Sequence, residues 1–216
     1  EWETYFKTVS ANHQKALLKV DTRIEDGNAL KNLTTKVELL DAQGKQVATG
    51  QQKINQQGAA SFNLEVTNPH LWDIDTPYLY TLKTTLLKGK KAIDQTTTKV
   101  GIRTIDVSKE HGFRLNGKSL KFKGVCLHHD LGALGAALNK TAVIRQIEMM
   151  KKMGVNAIRT SHNMPSQMQM DVCDSLGMMV MAESFDAWKD LKVKNGYGRI
   201  YDEWWRKDLE NLIKGH

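Results

Sequence analysis

The sequence contains few residues that could form covalent cross-links. It has two cysteines in 216 residues, Cys126 and Cys173. They lie in different predicted elements and lack the paired spacing of metal ligands, which excludes a zinc ribbon or a disulfide-rich scaffold. We predict that both are small, buried hydrophobic side chains.

Long hydrophobic runs are also absent. No apolar stretch approaches the roughly 20 residues of a membrane-spanning helix, and no signal peptide is visible, so we expect no membrane contact. The chain begins with Glu1 rather than Met, and we expect it to derive from a longer parent protein. A soluble parent, periplasmic or secreted, is compatible with this composition.

The basic excess is spread along the chain rather than concentrated. The formal net charge is +7, of which +2 falls in residues 1–102 and +5 in residues 103–216. Neither part has a long basic run with interleaved aromatic residues, so we expect a solvated surface and no nucleic-acid partner. No glycine-rich phosphate loop follows a predicted strand, and we expect no cofactor.

Residues 1–102 show the period-two pattern of strands with one solvated face. Apolar or β-branched residues alternate with charged or polar ones in five stretches: 18–24, 35–39, 62–66, 78–86 and 96–102. Turn dipeptides such as Gln43-Gly44, Gln57-Gly58 and Lys88-Gly89 lie between them. About seven short strands in roughly 100 residues is typical of an immunoglobulin-like β-sandwich.

Residues 103–216 change to alternating strands and helices. Asn116-Gly117 predicts a tight hairpin turn, and helices are predicted near 141–153, 168–176 and 204–213 between short apolar strands. Asn139 or Thr141 is expected to cap the first helix, and Gly177 to end the second. The apolar stripe that includes Val143, Ile147 and Met153, and the third-helix residues Trp204, Leu209, Leu212 and Ile213, are expected to face inward. Short connections between such units indicate a parallel sheet.

Polar side chains follow three of these predicted strands where each strand ends. His128, His129 and Asp130 follow the first, Arg159 to Asn163 follow the second, and Glu183, Ser184 and Asp186 follow the third. The carboxyl ends of parallel strands meet at one edge of the sheet, so we expect a pocket there. Strand alternation places His128 and Asp130 on one face and His129 on the other, where it is expected to be structural.

Each candidate also has a purely structural interpretation. His128 is consistent with a hydrogen-bonded core histidine. Arg159 and Glu183 are consistent with an ion pair that holds neighbouring strands together, and Glu183 with a supporting rather than a ligand-contacting role. Trp188 could stack on a sugar or pack under its loop. His162 is the strongest candidate, because a loop after the strand gives little packing reason for an imidazole.

Several motifs together resemble glycoside hydrolase family 2 of the β-galactosidase type, over essentially the whole chain. These motifs, in chain order, are Asn68-Pro69-His70-Leu71-Trp72, Gly101-Ile102-Arg103, Phe113 to Lys118, Lys123 to His128, Asn156 to His162, and Cys173-Asp174 with Gly177 and Glu183. The resemblance implies a multi-domain β plus α/β protein. An immunoglobulin-like sandwich (1–102) would precede an incomplete TIM (β/α)8 barrel (103–216), consisting of a hairpin plus about three βα units.

The resemblance also implies an activity and residue roles. Members are retaining β-glycosidases that use two glutamates, and both come from later barrel strands that lie outside these 216 residues. Residues matching His128 and His162 bind the sugar, and the residue matching Arg159 supports it; we add Asp130 and Glu183 as substrate-binding candidates. We therefore expect a carbohydrate ligand, such as a β-galactoside or related β-glycoside, and no hydrolysis by this chain alone. The acid and histidine that hold magnesium in some β-galactosidases have no counterpart after Glu183, so no metal is expected.

Two other functions compete with a β-glycosidase fragment. One is a metal-dependent TIM-barrel hydrolase with His128, Asp130, His162 and Glu183 as ligands. The other is a non-catalytic carbohydrate-binding or spacer module. An incomplete barrel exposes strand edges and apolar surface, so we also expect self-association through residues 103–216.

Overall fold

The computed structural model describes residues 4–24 and 32–215. The chain divides into two compact units, residues 1–121 and 122–216. The hairpin region therefore belongs to the first unit, and a domain boundary at residues 102–103 stays a prediction.

The first unit is an antiparallel β-sandwich. Its seven long strands in the described residues are β1 (Thr4–Ala11), β2 (Lys15–Arg23), β3 (Leu33–Leu40), β4 (Gln46–Lys53), β5 (Ala59–Thr67), β6 (Tyr80–Lys88) and β7 (Lys91–Val100). One sheet has the order β1-β2-β5 and the other the order β4-β3-β6-β7. All their pairings are antiparallel.

Alternation in the sequence becomes alternation of burial in these strands. In β2, Leu18 and Val20 are buried, whereas Lys15 and Lys19 are exposed. The inward side chains of both sheets form one hydrophobic core that includes Val37, Leu39, Phe62, Leu64 and Leu82. The predicted sandwich is confirmed. Strand β4 is polar and mostly exposed, so no period-two pattern marks it in the sequence.

A short hairpin sheet completes the first unit. It contains β8 (Ile105–Ser108), β9 (Gly112–Leu115) and β10 (Lys118–Ser119), in the order β10-β9-β8. Asn116 and Gly117 both have positive φ, 51° and 77°, as the predicted turn requires. The Asn116 side chain accepts from the Thr104 N–H at 3.0 Å and donates to the Trp72 carbonyl at 2.9 Å. These bonds tie the hairpin to the segment that carries the buried Trp72.

The second unit consists of βα repeats. Its elements are β11 (Gly124–Leu127), α1 (Lys140–Lys152), β12 (Ala157–Thr160), α2 (Gln167–Leu176), β13 (Met179–Met181) and α3 (Tyr201–Gly215). The three strands pair in parallel, in the order β11-β12-β13. This is the predicted parallel sheet, and no closed barrel is present in the described residues.

Capping groups define where the helices begin and end. The Asn139 side chain accepts from the Ala142 N–H at the start of α1, and Ser166 accepts from the Gln169 N–H at the start of α2. Gly177, with φ 72°, ends α2 in the left-handed conformation. Of the two caps proposed for α1, Asn139 is therefore the one used.

Only part of the expected apolar face of the helices is buried. Val143 and Ile147 of α1 are buried with Ile158, Val172 and Met178 in the core of the second unit. Met153 was expected in this stripe, but it lies at the helix end and is 77% exposed. The inward orientation expected for α3 is wrong, since this helix buries no residue and Trp204, Leu209 and Ile213 are exposed.

Among the described residues, no helix is both long enough and apolar enough to span a membrane.

Candidate functional site

The parallel register of the second unit aligns one row of side chains across the sheet. Cys126, Arg159 and Met181 are paired positions on β11, β12 and β13. Their neighbours Val125, Ile158 and Val180 point the other way and belong to the hydrophobic core. The row of Cys126 and Arg159 therefore lies on the face away from α1 and α2, and the chain leaves all three strands at the same edge.

Glu183 is fixed at this edge by three groups. Its carboxylate accepts a hydrogen bond from Arg159 Nε, and its Oε2 lies 3.0 Å from His162 Nδ1. Its backbone N–H donates to Thr160 Oγ1 at 3.0 Å. When His162 carries its proton on Nδ1 and donates it to Glu183, the Nε2 atom is left for a ligand. The ion pair predicted between Arg159 and Glu183 is present.

The charge of Glu183 is set by two opposing effects. Burial raises the pKa of the carboxyl group, while hydrogen bonds from His162 and Arg159 and their nearby positive charge lower it. The net result is a pKa below the ordinary value of 4.5. Glu183 is therefore an ionised hydrogen-bond acceptor at neutral pH.

His128 lies beside His162. Its ring centroid is 5.7 Å from that of His162, with the two rings nearly perpendicular at 80°. Arg159 Nη2 lies 3.4 Å from His162 Nδ1. His128, Arg159, His162 and Glu183 thus form one group at the strand ends, here called the rim cluster.

Asp130 lies outside the rim cluster's hydrogen bonds. It is exposed, and its carboxylate accepts a 2.5 Å bond from Gly132 N–H within its own loop. His128, His129 and Asp130 line one side of a small pocket whose other walls include Val143, Gln146 and Gln169. His129, expected to be structural, is exposed at this pocket.

The two cysteines differ from each other. Cys173 is fully buried, as predicted, and burial raises the pKa of its thiol to about 12. Cys126 is exposed, so the prediction of a buried side chain is wrong. Its Sγ lies 3.6 Å from Arg159 Nη1. The Ser161 hydroxyl and the Arg159 guanidinium lower the pKa of the Cys126 thiol.

Thr160 contacts the rim cluster, and the sequence did not reveal this. It is 5% exposed, and its hydroxyl holds the backbone of Glu183. In the sequence it is an ordinary β-branched strand residue, and only the register of β12 with β13 shows its contact with Glu183.

No group of three or more His, Cys, Asp or Glu side chains arranged to hold a metal occurs in the part of the chain that the structure describes. The four ligands considered for a metal site therefore do not form such a group, and the Glu183 carboxylate pairs with Arg159.

The fold agrees with the comparison to known families. The profile of the glycosyl hydrolases family 2 matches residues 3–103, and that of the glycosyl hydrolases family 2, TIM barrel domain, matches residues 105–207. Together the matches cover nearly the whole chain, and this chain belongs to glycosyl hydrolase family 2. The resemblance and the fold class inferred from the motifs are confirmed.

Relatives with curated names include two bacterial proteins. The beta-galactosidase BoGH2A of Bacteroides ovatus is 42% identical over 98% of this chain and 26% of its own length. A putative beta-glucuronidase of Formosa agariphila is also 42% identical, over 97% of this chain and 20% of its own length. A family 2 glycosyl hydrolase structure from Bacteroides cellulosilyticus superposes with a TM-score of 0.92 and 38% identity, over 99% of this chain and 28% of that one. The chain thus spans about a quarter of the length of its relatives.

Proposed function

We propose that the rim cluster binds the sugar ring of a β-glycoside, as part of a longer protein that hydrolyses the glycosidic bond. The observation that supports this most is the fixed arrangement of Glu183 between Arg159 and His162, with His128 beside it at the same sheet edge. Relatives in the family are named beta-galactosidase and beta-glucuronidase. A β-galactoside or a related β-glycoside is therefore the proposed ligand.

The chemistry of the rim cluster suits a hydroxylated ring. A sugar presents hydroxyl groups, each of which can donate one hydrogen bond and accept others. The ionised Glu183 offers an acceptor, and the ring nitrogens of His128 and His162 offer donors or acceptors. Since Arg159 and His162 already hold the Glu183 carboxylate, little side-chain entropy is lost when a ligand binds.

Hydrolysis is proposed for the longer protein rather than for these 216 residues. Retaining cleavage needs two carboxyl groups about 5–5.5 Å apart, one as nucleophile and one as acid and base. A general acid needs a raised pKa, but Arg159 and His162 lower the pKa of Glu183. Glu183 is therefore suited to ligand binding, and catalytic carboxylates are assigned to other parts of the parent protein.

A calorimetric titration tests the proposed sugar site. Methyl β-D-galactoside and methyl β-D-glucuronide are titrated into the chain, and we expect at least one of them to bind. His162→Ala should weaken this binding about tenfold or more, because it removes a hydrogen-bonding group and a partner of Glu183. His13→Ala, which changes an exposed histidine of the sandwich, is the matched control and should bind like the parent.

Failure of both sugars to bind would contradict the site. Turnover of an aryl β-galactoside by the pure chain, abolished by Glu183→Gln, would instead show that Glu183 takes part in catalysis.

Self-association of the second unit is also proposed. The three-stranded sheet has an outer strand on each side, β11 and β13, and large apolar side chains are exposed on this unit, including Met181 at 58% and Ile213 at 57%. Unpaired strand edges and exposed apolar surface both favour association. A second copy of the chain is the proposed partner.

A further inference from the structure

Trp188 is the most exposed aromatic side chain among the described residues. It is 72% exposed, compared with 41% for Phe122 and 40% for Trp204. Burial of a side chain as large as an indole is stabilising, and the Trp188 indole lacks that burial. Of the two roles considered for Trp188, packing under its loop is therefore not observed.

Several neighbouring groups contact the backbone that carries this indole. Ala187, the preceding residue, is 5% exposed. Lys192 Nζ donates to the Asp186 carbonyl at 2.5 Å, and Lys189 pairs with Asp202 of α3 at 2.9 Å. A Cβ on Gly198 would come within 2.9 Å of the Trp188 carbonyl oxygen, so the Gly198 backbone lies directly against this segment.

Aromatic contacts secure the same loop on its other side. Phe185 stacks on Tyr197 with a centroid distance of 4.8 Å and an angle of 7°. Tyr201 meets Phe185 edge-on at 5.5 Å. The segment 185–189 is thus fixed before and after Trp188, while the indole itself faces solvent.

We infer that Trp188 is a stacking platform for a second sugar unit of the ligand, beyond the one held by the rim cluster. This inference rests on the proposed sugar site. The loop that carries Trp188 starts at Glu183, and five residues span at most about 18 Å even when fully extended. The indole therefore lies within reach of a short oligosaccharide anchored at Glu183.

The chemistry of the indole favours this ligand. The face of an aromatic ring has a negative potential, and one face of a pyranose ring presents C–H groups that are weakly positive. A rigid aromatic side chain loses little conformational entropy on stacking, unlike a long flexible one. A firmly held, solvent-facing Trp188 meets both requirements.

The test compares a one-sugar and a two-sugar ligand by calorimetry. Methyl β-D-galactoside reaches the rim cluster only, whereas lactose adds a second unit. We expect lactose to bind the parent chain about 3- to 10-fold more tightly than methyl β-D-galactoside. Trp188→Ala should make the affinities for the two sugars equal, with the affinity for methyl β-D-galactoside unchanged. Trp188→Phe should retain part of the preference for lactose.

Trp204→Ala is the matched control. Trp204 is also exposed but lies on α3 under Lys207, whose Nζ is 4.3 Å from its ring centroid, and its removal should leave the ratio intact. An equal affinity for both sugars in the parent chain, or a ratio unaffected by Trp188→Ala, would overturn the platform while the rim site stands. Binding of none of the three sugars, methyl β-D-galactoside, lactose and methyl β-D-glucuronide, would overturn the rim site and the platform together.

Discussion

At the scale of single residues, Glu183 links the charge of the rim cluster to its stability. Its pKa is below 4.5 in the folded chain, since the hydrogen bonds and positive charge of His162 and Arg159 outweigh the effect of burial. A carboxyl group with a depressed pKa stabilises the fold above its unfolded pKa, and this contribution is lost as the pH falls through the folded pKa. We therefore expect Glu183→Gln to lower the free energy of unfolding at pH 7 and to have a smaller effect near pH 3.

Denaturant unfolding at both pH values measures this difference. Glu65→Gln is the control, because Glu65 forms an exposed pair with Lys15 on the sandwich and such pairs contribute little. A Glu183→Gln effect that is the same at pH 7 and pH 3 would contradict the prediction.

The two cysteines should differ sharply in reactivity. Cys126 is exposed with a lowered thiol pKa, whereas Cys173 is buried and has a pKa of about 12. The thiolate is the reactive form, so iodoacetamide at pH 7.5 should alkylate Cys126 and leave Cys173 unmodified until the chain is unfolded. Peptide mass spectrometry reports each site separately. Arg159→Leu should slow alkylation of Cys126, and similar rates at the two thiols in the folded chain would disprove the assignment.

At the scale of secondary-structure elements, α1 is anchored to the sheet through its buried stripe. Ile147 is fully buried in the core of the second unit, whereas Met149, two residues later, is 44% exposed. Ile147→Ala should lower the free energy of unfolding by about 2–5 kcal/mol, since it removes buried methyl groups and leaves a cavity. Met149→Ala, the matched control, should change it by less than about 0.5 kcal/mol.

Elements with a strong periodicity were the ones that the sequence predicted well. The alternation in β2 and the turn at Asn116-Gly117 both depend on local chemistry, and the structure contains them. Strand β4 could not be found in this way, because Gln46–Lys53 is polar and exists through its pairing with β3. Helix α3 was predicted, but its expected inward orientation was wrong, since burial depends on what lies beside the helix.

The rim cluster shows the same division between local and long-range information. The strand-end positions of His128, Arg159, His162 and Glu183 follow from short apolar runs, and the structure brings them together. The exposure of Cys126 and the bond from Glu183 to Thr160 depend on strand register. Register between parallel strands is fixed by packing across the sheet, which a single sequence does not display.

At the scale of the whole molecule, the second unit should govern association. Met181→Lys places a charge in the exposed apolar surface near β13 and should shift the chain toward monomer. Ile93→Lys makes the same change at a 47% exposed position of the sandwich and should have no effect. Multi-angle light scattering over a range of concentrations measures both, and a parent chain that is monomeric throughout would contradict the proposal.

The pairing of β2 with β5 has a consequence for the order in which the sandwich folds. Ser61 and Asp21, which bond across this pair, are 40 residues apart in the chain, and β3 and β4 of the opposite sheet lie between them. Closing such a loop costs entropy before any contact is gained, whereas neighbouring strands joined by short turns, such as β6 and β7, pair early. Pulsed hydrogen exchange during refolding should therefore protect the β6 and β7 amides first and the β5 amides last.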